Sequence, residues 1–365
     1  MGEGHPDKVA DQISDAILDA CLDQDPKSRV ACETLVKDKT VVVAGEITTK
    51  AEFCFKEVIS QTLRGAGYNY EPTIINLISK QLPQMQRALD LGANDQGVMF
   101  GFASNSTPNL MPLASQLSRE LCWMLRDLRT RGSNIYHLGS DCKTQVTLKT
   151  FYDGGKEDIK ISKVVLSCVH GEDIAFSQFQ GWLVAQSKAW LDSKGYKWLL
   201  RDGYDIEWMV NLSGPWTIGG PEADCGATGR KIVVDNYGSD CPVGGGCFSG
   251  KSPTMTDRTG AYAMRWIAKN LCAALGGVAG GVTTQVSYGI GKPDPCSFRI
   301  KLPSSTFGSE QTARELEKRV KEVVDLRPKA LVERFGLERM IYLPTSRDGH
   351  FGIETYPWEE LNLRF

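Results

Sequence analysis

Apolar residues at Val9, Ile13, Ile17, Ala20 and Cys21 recur with the spacing of one helical face. Pro6 can occupy the first turn ahead of them, where its missing N–H is not needed. The pattern predicts a helix from Pro6 that ends at Asp25-Pro26. Two strand-like runs follow, Arg29 to Lys37 and Thr40 to Thr49, turning at Asp38. A second helix is expected from about Ala51 to Leu63, stopped by Gly65, and then a buried strand at Thr73 to Ser79. Strand Gly97 to Ala103 and helix Leu113 to Arg129 come next, followed by a hairpin of Gln145 to Tyr152 and Ile159 to His170 across Asp153-Gly154-Gly155. A helix at Ile174 to Leu191 and a strand at Ile206 to Leu212 complete the middle. The last third gives a helix from about Thr259 to Leu275, strands at Thr283 to Tyr288 and Ser297 to Leu302, and a helix from Ser309 to Val323. This mixed order points to α+β subdomains with partly antiparallel sheets, not to one doubly wound parallel sheet.

The chain has 365 residues, enough for two or three packed subdomains. With 41% hydrophobic and 24% charged residues and a net charge of −2, it has the composition of an ordinary soluble protein, and neither nucleic acid nor a membrane surface is suggested as its main partner. No stretch approaches the roughly 20 apolar residues of a membrane helix, and Met1 runs directly into Gly-Glu-Gly-His-Pro-Asp without a secretory signal. The eleven cysteines are scattered, with no C-x-x-C pair, which reads as reduced thiols in the cytoplasm and argues against disulfides and structural zinc.

Several segments carry candidate chemistry. Residues 2–8 place His5, Asp7 and Lys8 at a helix N-terminus, where free N–H groups favour phosphate and Asp7 can hold Mg²⁺; the plainer alternative is a dipole-neutralising Asp7 beside a surface His5. Residues 218–231 are glycine-rich and end in Arg230-Lys231, a fork and a point charge suited to phosphate oxygens. Residues 245–252 formally fit G-x-x-x-x-G-K-[ST], but the polar stretch 235–243 separates them from the nearest apolar run, Ile232 to Val234. Lys251 therefore reads as a phosphate-binding cation on a different kind of glycine loop. Asp141 and Lys143 stand at the mouth of a strand, and residues 92–97 form either a plain turn or a loop that brings Asp95 to a metal.

Taken in order, these segments resemble the S-adenosylmethionine synthetases (methionine adenosyltransferases). The resemblance runs from Gly2 to about Trp358 and includes GHPDK (4–8), ACET (31–34), GEITT (45–49), DQG (95–97), GGP (219–221), TGRK (228–231), FSGK (248–251), DR (257–258), QVSY (285–288), DLRP (325–328) and GHFG (349–352). It implies three similar α/β subdomains in a pseudo-threefold arrangement, with bounds near 1–84, 92–218 and 219–365. It also implies a homodimer with active sites at the subunit interface, or two such dimers as a tetramer, and a reaction in which L-methionine displaces the triphosphate of ATP before that triphosphate is cleaved to pyrophosphate and phosphate. By position, the resemblance makes His5, Lys143, Arg230, Lys231 and Lys251 catalytic. Asp141, Trp216, Asp224 and Cys247 join them around ATP; Glu46, Gln81, Asp224 and Met255 fall at the methionine positions. Asp7 and Asp257 match ligands of two Mg²⁺ ions, and Glu33 matches the carboxylate associated with K⁺.

The chain departs from the family pattern mainly on the methionine side. Met255 stands where a lysine is usual, Asn94 where a glycine is usual, and Pro215-Trp216 where Arg-Phe is usual. The gate segment between Gln81 and Gly92 is short, and the strand that usually precedes the His-Pro-Asp motif is not present in the sequence. A paralogue using another nucleophile or only hydrolysing triphosphate, a non-catalytic regulatory subunit, and a P-loop NTPase are the rival readings.

Overall fold

The computed structural model describes residues 1–81, 92–132, 134–153, 156–200, 205–276, 280–303 and 310–364. The expected gate segment lies outside them. Helix α1 (Pro6–Gln24) is followed by the antiparallel strands β1 (Arg29–Lys37) and β2 (Thr40–Thr48), helix α2 (Phe55–Gly65) and strand β3 (Thr73–Ser79), which lies parallel to β2. The short strand β8 (Gly226–Ala227) adds to the free side of β1, giving the order β3-β2-β1-β8.

A second sheet joins β4 (Gly97–Ala103) to β9 (Val282–Tyr288) and β10 (Ser297–Lys301), all antiparallel. Helix α6 (Thr256–Ala274) packs on β4 and β9. The third sheet runs β5 (Cys142–Asp153), β6 (Lys156–Cys168), β7 (Glu207–Val210), covered by α3 (Leu113–Thr130) and α4 (Phe176–Ser193). Its side chains form a separate core around Leu117, Leu121, Val164, Leu166 and Phe179, whereas the first two sheets share one core around α1 and α6. The chain closes with α5 (Ile232–Asp235) before α6, and with α7 (Glu310–Val323), α8 (Pro328–Phe335) and α9 (Tyr342–Asp348) after β10.

The strands fall where expected, but β3, expected to be buried, is an edge strand with Thr73, Ile75, Asn76, Leu77 and Ser79 exposed, and α1 differs from the one-faced helix that its apolar spacing predicts. Sixteen of its nineteen residues are buried, so its polar side chains must find partners inside the protein. They do so on segments distant in sequence. Asp15 forms a two-pronged pair with Arg258 (2.7 and 2.9 Å) and accepts the Gly250 N–H at 2.9 Å. Asp19 accepts the N–H groups of Tyr342 and Leu343, capping α9. Lys8 sits between Asp11 at 3.0 Å and Asp235 at 2.6 Å. Ser14 shares hydrogen bonds with Thr34 and Thr228, both 2.8 Å.

A second buried ionic cluster ties α6 to the C-terminal segment. Arg265 holds Glu359 through two bonds of 2.9 Å, and Lys269 approaches the same carboxylate at 2.9 Å. Beside it Tyr262 stacks on Trp358 with ring centroids 3.7 Å apart. Removing the carboxylate leaves two buried cations without compensation, so Glu359→Ala is expected to lower unfolding free energy by about 3–5 kcal/mol. Chemical denaturation followed by tryptophan fluorescence measures this; a loss below about 1 kcal/mol would show that the cluster carries little of the fold's stability.

Candidate functional site

His5 is the N-cap of α1, and its Nδ1 accepts the Asp7 N–H at 3.2 Å. The ring proton is therefore on Nε2. Asp7 in turn accepts the Ala227 N–H at 2.9 Å on Oδ1 and pairs with Lys231 at 2.5 Å on Oδ2, with Arg230 Nε 3.6 Å away. Strand β8 makes this possible. A Cβ at Gly226 would lie 2.1 Å from the Pro6 carbonyl oxygen, so only glycine lets β8 approach the start of α1 this closely. The Gly229 N–H then bonds Asp11 at 2.9 Å, which fixes the backbone from which Arg230 and Lys231 project.

Asp141 and Lys143 reach the same place from β5 and the turn before it. Asp141 is buried; one carboxylate oxygen accepts the Gly220 N–H at 2.8 Å and the other has no partner. Gly220 has φ +68°, and a Cβ there would meet the Tyr68 hydroxyl at 2.0 Å. The Gly219-Gly220 pair is thus a geometric requirement of the contact with Asp141. Trp216, just upstream, donates its indole N–H to the Ile218 carbonyl at 2.7 Å, and its backbone exchanges hydrogen bonds with His170.

The electrostatics of the site follow from this proximity. Burial, then Lys143 and Lys231, bring the His5 pKa down to about 4, so the imidazole is neutral near pH 7. Burial pushes Asp7 upward, but hydrogen bonds from Lys231 and Ala227 and the adjacent cations hold it below the usual carboxylate range. Asp141 is raised by burial against the Gly220 hydrogen bond and the Lys143 charge, with Asp224 adding to the rise.

The remaining candidates form a second group. Lys251 bonds Asp257 at 2.5 Å; burial lowers its pKa, but Cys247 and Asp257 raise it further, for a net rise. Both line a cleft of about 440 Å³ together with Glu33, Gln81, Asp95 and Met255. The carbonyl oxygen of the Gln81 side chain is buried there without a partner. Glu46 stands beside the cleft, opposite Ala31 in the β1–β2 ladder. Cys247 lies between the two groups: a Cβ on Gly229 would come within 2.7 Å of it, and its thiol, raised by burial, feels Lys251 and Asp257.

The single constellation expected from the sequence is therefore divided within one chain. His5, Asp7, Asp141, Lys143, Asp224, Arg230 and Lys231 gather at the start of α1, whereas Glu33, Gln81, Lys251, Met255 and Asp257 share the cleft. Asp224 is separated from its expected methionine companions, and no hydrogen bond or ion pair among the described residues bridges the groups. His5 is buried, which removes the surface-residue alternative. The P-loop reading also fails. Ile232–Asp235 is a helix with Val233 and Val234 exposed, and Ser252 is fully buried and bonded to Thr254, out of reach of a phosphate-bound metal.

Asn94 has a role that its position alone did not reveal. Met255, the N-cap of α6, offers no capping oxygen, and Asn94 Oδ1 supplies one by accepting the Thr256 N–H at 2.9 Å. The cap also holds the turn that carries Asp257.

Two outcomes follow. Asn94→Gly should destabilise the protein by about 1 kcal/mol, the usual worth of an N-cap, as read by urea denaturation; an unchanged midpoint would remove the capping role. His5 has a folded pKa below its unfolded value of 6.5, so the unfolded chain takes up the proton first as pH falls. Its stabilising contribution is complete above about pH 6.5 and declines toward pH 4, and NMR titration of the His5 ring should give a midpoint near 4. A midpoint above 6 would contradict the buried, cation-flanked geometry.

Comparison with known families places three domain descriptions on the chain in order: S-adenosylmethionine synthetase, N-terminal domain, over residues 1–85; central domain, over 90–215; and C-terminal domain, over 218–360.

Proposed function

The chain belongs to the S-adenosylmethionine synthetase family along nearly its whole length, and from this premise we propose that it is a methionine adenosyltransferase, joining L-methionine to the adenosyl group of ATP. The observation that carries the proposal is the convergence of Lys143, Arg230 and Lys231 on His5 and Asp7 at a helix N-terminus, an arrangement suited to a polyphosphate.

In this reading the methionine sulfur attacks C5′ of ATP. The C5′–O bond breaks and its electron pair leaves on the triphosphate. His5 is positioned by its Nδ1 bond so that the Nε2–H donates to that departing oxygen. Lys143, Arg230, Lys231 and Lys251 face the growing negative charge, and Trp216, Asp141 and Asp224 contact the nucleoside.

The residues present fit divalent ions bound mostly through substrate. Among the described residues no cluster of three or more His, Cys, Asp and Glu converges on a metal position, yet Asp7 and Asp257 each stand beside a clamp cation; Mg²⁺ characteristically takes one or two carboxylates and completes its shell with phosphates and water. Mg²⁺ on Asp7 and Asp257, with K⁺ near Glu33, would supply neutralisation of triphosphate charge.

A homodimer would unite the two groups, with the cleft of one subunit facing the cation cluster of its partner. Supporting this, the outer face of the first sheet is exposed and apolar: Leu35, Ile75 and Leu77 are 42%, 45% and 62% exposed, and Glu33 lies in the same face at the edge of the cleft. No helix among the described residues is long and apolar enough to cross a membrane; we place the enzyme in the cytoplasm.

The test is incubation of the purified chain with ATP, L-methionine, Mg²⁺ and K⁺, with quantification of S-adenosylmethionine, pyrophosphate, phosphate and ADP. Equal amounts of the first three are expected, and ADP as the main product would refute the assignment. His5→Asn keeps a capping side chain but removes the Nε2 donor. It should leave stability nearly unchanged while lowering kcat by about 10²–10³-fold, the usual effect of losing one donor to a developing oxyanion.

A further inference from the structure

The cleft around Met255 has an uneven chemistry. It holds one ammonium, Lys251, against three carboxylates, Glu33, Asp95 and Asp257. That ammonium is already engaged by Asp257 at 2.5 Å and lies where the clamp on triphosphate needs it. The long apolar side chains of the lining are Met255 and Ile290. Of the other polar groups, Asp95 offers a carboxylate that accepts the Gln96 N–H and feels Lys251, Gln81 presents a buried carbonyl oxygen with no partner, and Ser249 adds a buried, unpartnered hydroxyl that is neutral. Asp95 and the Gln81 oxygen are acceptors. A ligand group meeting them is favoured if it donates or is positively charged, whereas a carboxylate entering the cleft finds no free cation among the described residues.

We propose that this cleft recognises its thioether substrate through the ammonium and the sulfur but not through a carboxylate, so that thioether amines lacking the carboxylate are adenosylated as readily as L-methionine. The inference rests on the adenosyltransferase reading and narrows its substrate class. The chemistry is unchanged. The sulfur lone pair forms the S–C5′ bond, the C5′–O bond breaks onto triphosphate, and the product carries a sulfonium and an ammonium without a carboxylate. Met255 and Ile290 suit the methylene chain next to the sulfur, and the absence of a fixed cation at Met255 leaves the carboxyl end of methionine without a charged hydrogen-bond partner.

The test compares three acceptors with the full chain, ATP, Mg²⁺ and K⁺. They are L-methionine, 3-(methylthio)propylamine, which has the ammonium alone, and N-acetyl-L-methionine, which has the carboxylate alone. The amine is expected to show a kcat/KM within about tenfold of methionine, and N-acetylmethionine a value lower by about 100-fold or more, in line with losing a charge-assisted contact. Methionine preferred over the amine by more than about tenfold would overturn the proposal while leaving the adenosyltransferase assignment intact. Met255→Lys places a cation in the cleft and should shift the methionine-to-amine ratio toward methionine by about tenfold or more; an unchanged ratio would also overturn it. Calorimetry with Mg²⁺ and a non-hydrolysable ATP analogue separates the two levels. If no acceptor is adenosylated but the amine binds this complex more tightly than N-acetylmethionine, the reaction assignment falls and the recognition rule stands. If N-acetylmethionine binds as tightly as the amine, the recognition rule falls.

Discussion

A helix wrapped by protein on all sides has no solvent to satisfy its polar side chains, and α1 meets that constraint by reaching across the sequence. Asp7, Asp11, Asp15 and Asp19 follow one another every four residues, so they form a stripe along one side of the helix. Each takes a backbone N–H from one of three later segments: Ala227 and Gly229 from the first, Gly250 from the second and Tyr342 from the third. The glycine-rich loops are thus held by hydrogen bonds to a rigid helix instead of by their own internal packing. That explains how loops with so few side chains can present Arg230, Lys231 and Lys251 at fixed positions.

The same stripe organises the electrostatics. Its first member, Asp7, belongs to the site, while the deeper ones are structural: Asp11 shares Lys8 with Asp235, and Asp15 is matched by Arg258. Moving from Asp15 toward Asp7 therefore means moving from a fully buried ion pair to partly exposed cations. Lys231 and Lys251 rest on Asp7 and Asp257 in arrangements that a polyphosphate can enter by exchanging one anionic partner for another. Such an exchange keeps every cation paired throughout, which avoids the large penalty of an isolated charge in a poorly hydrated place.

Much of this was legible in the chain itself. The runs Arg29 to Lys37 and Thr40 to Thr49 match β1 and β2 to within a residue, and in β1 every second residue is buried because one face of the sheet is covered; Thr73 to Ser79 is a strand as expected, but an exposed edge strand instead of a buried one, since a short apolar run does not show which side of a sheet it will join. The glycine-rich run 218–231, singled out for its cations, is a loop that packs against the start of α1. Periodicity gave α1 as amphipathic because it counts apolar residues and cannot see that Asp15 and Asp19 will be paired inside. Helix α8 was passed over although Pro328 opens it and Gly336, at φ +58°, closes it; at eight residues the repeat is too short to stand out. The edge strand β8 has two residues and no pattern at all. Above all, spacing along the chain could not show that Lys251 would settle with Glu33 and Met255 while Lys231 settled with His5, since that division depends on how two sheets pack around one helix.

The anchoring of α1 also orders events in time. The helix is synthesised long before Tyr342, whose N–H Asp19 accepts, and before Arg258, which neutralises Asp15. Until those residues are synthesised, its carboxylate stripe has water as its best partner, and burying it would be unfavourable. Completion of the core around α1 must therefore wait for Tyr342, 323 residues after Asp19, a long-range closure that local helix formation cannot replace.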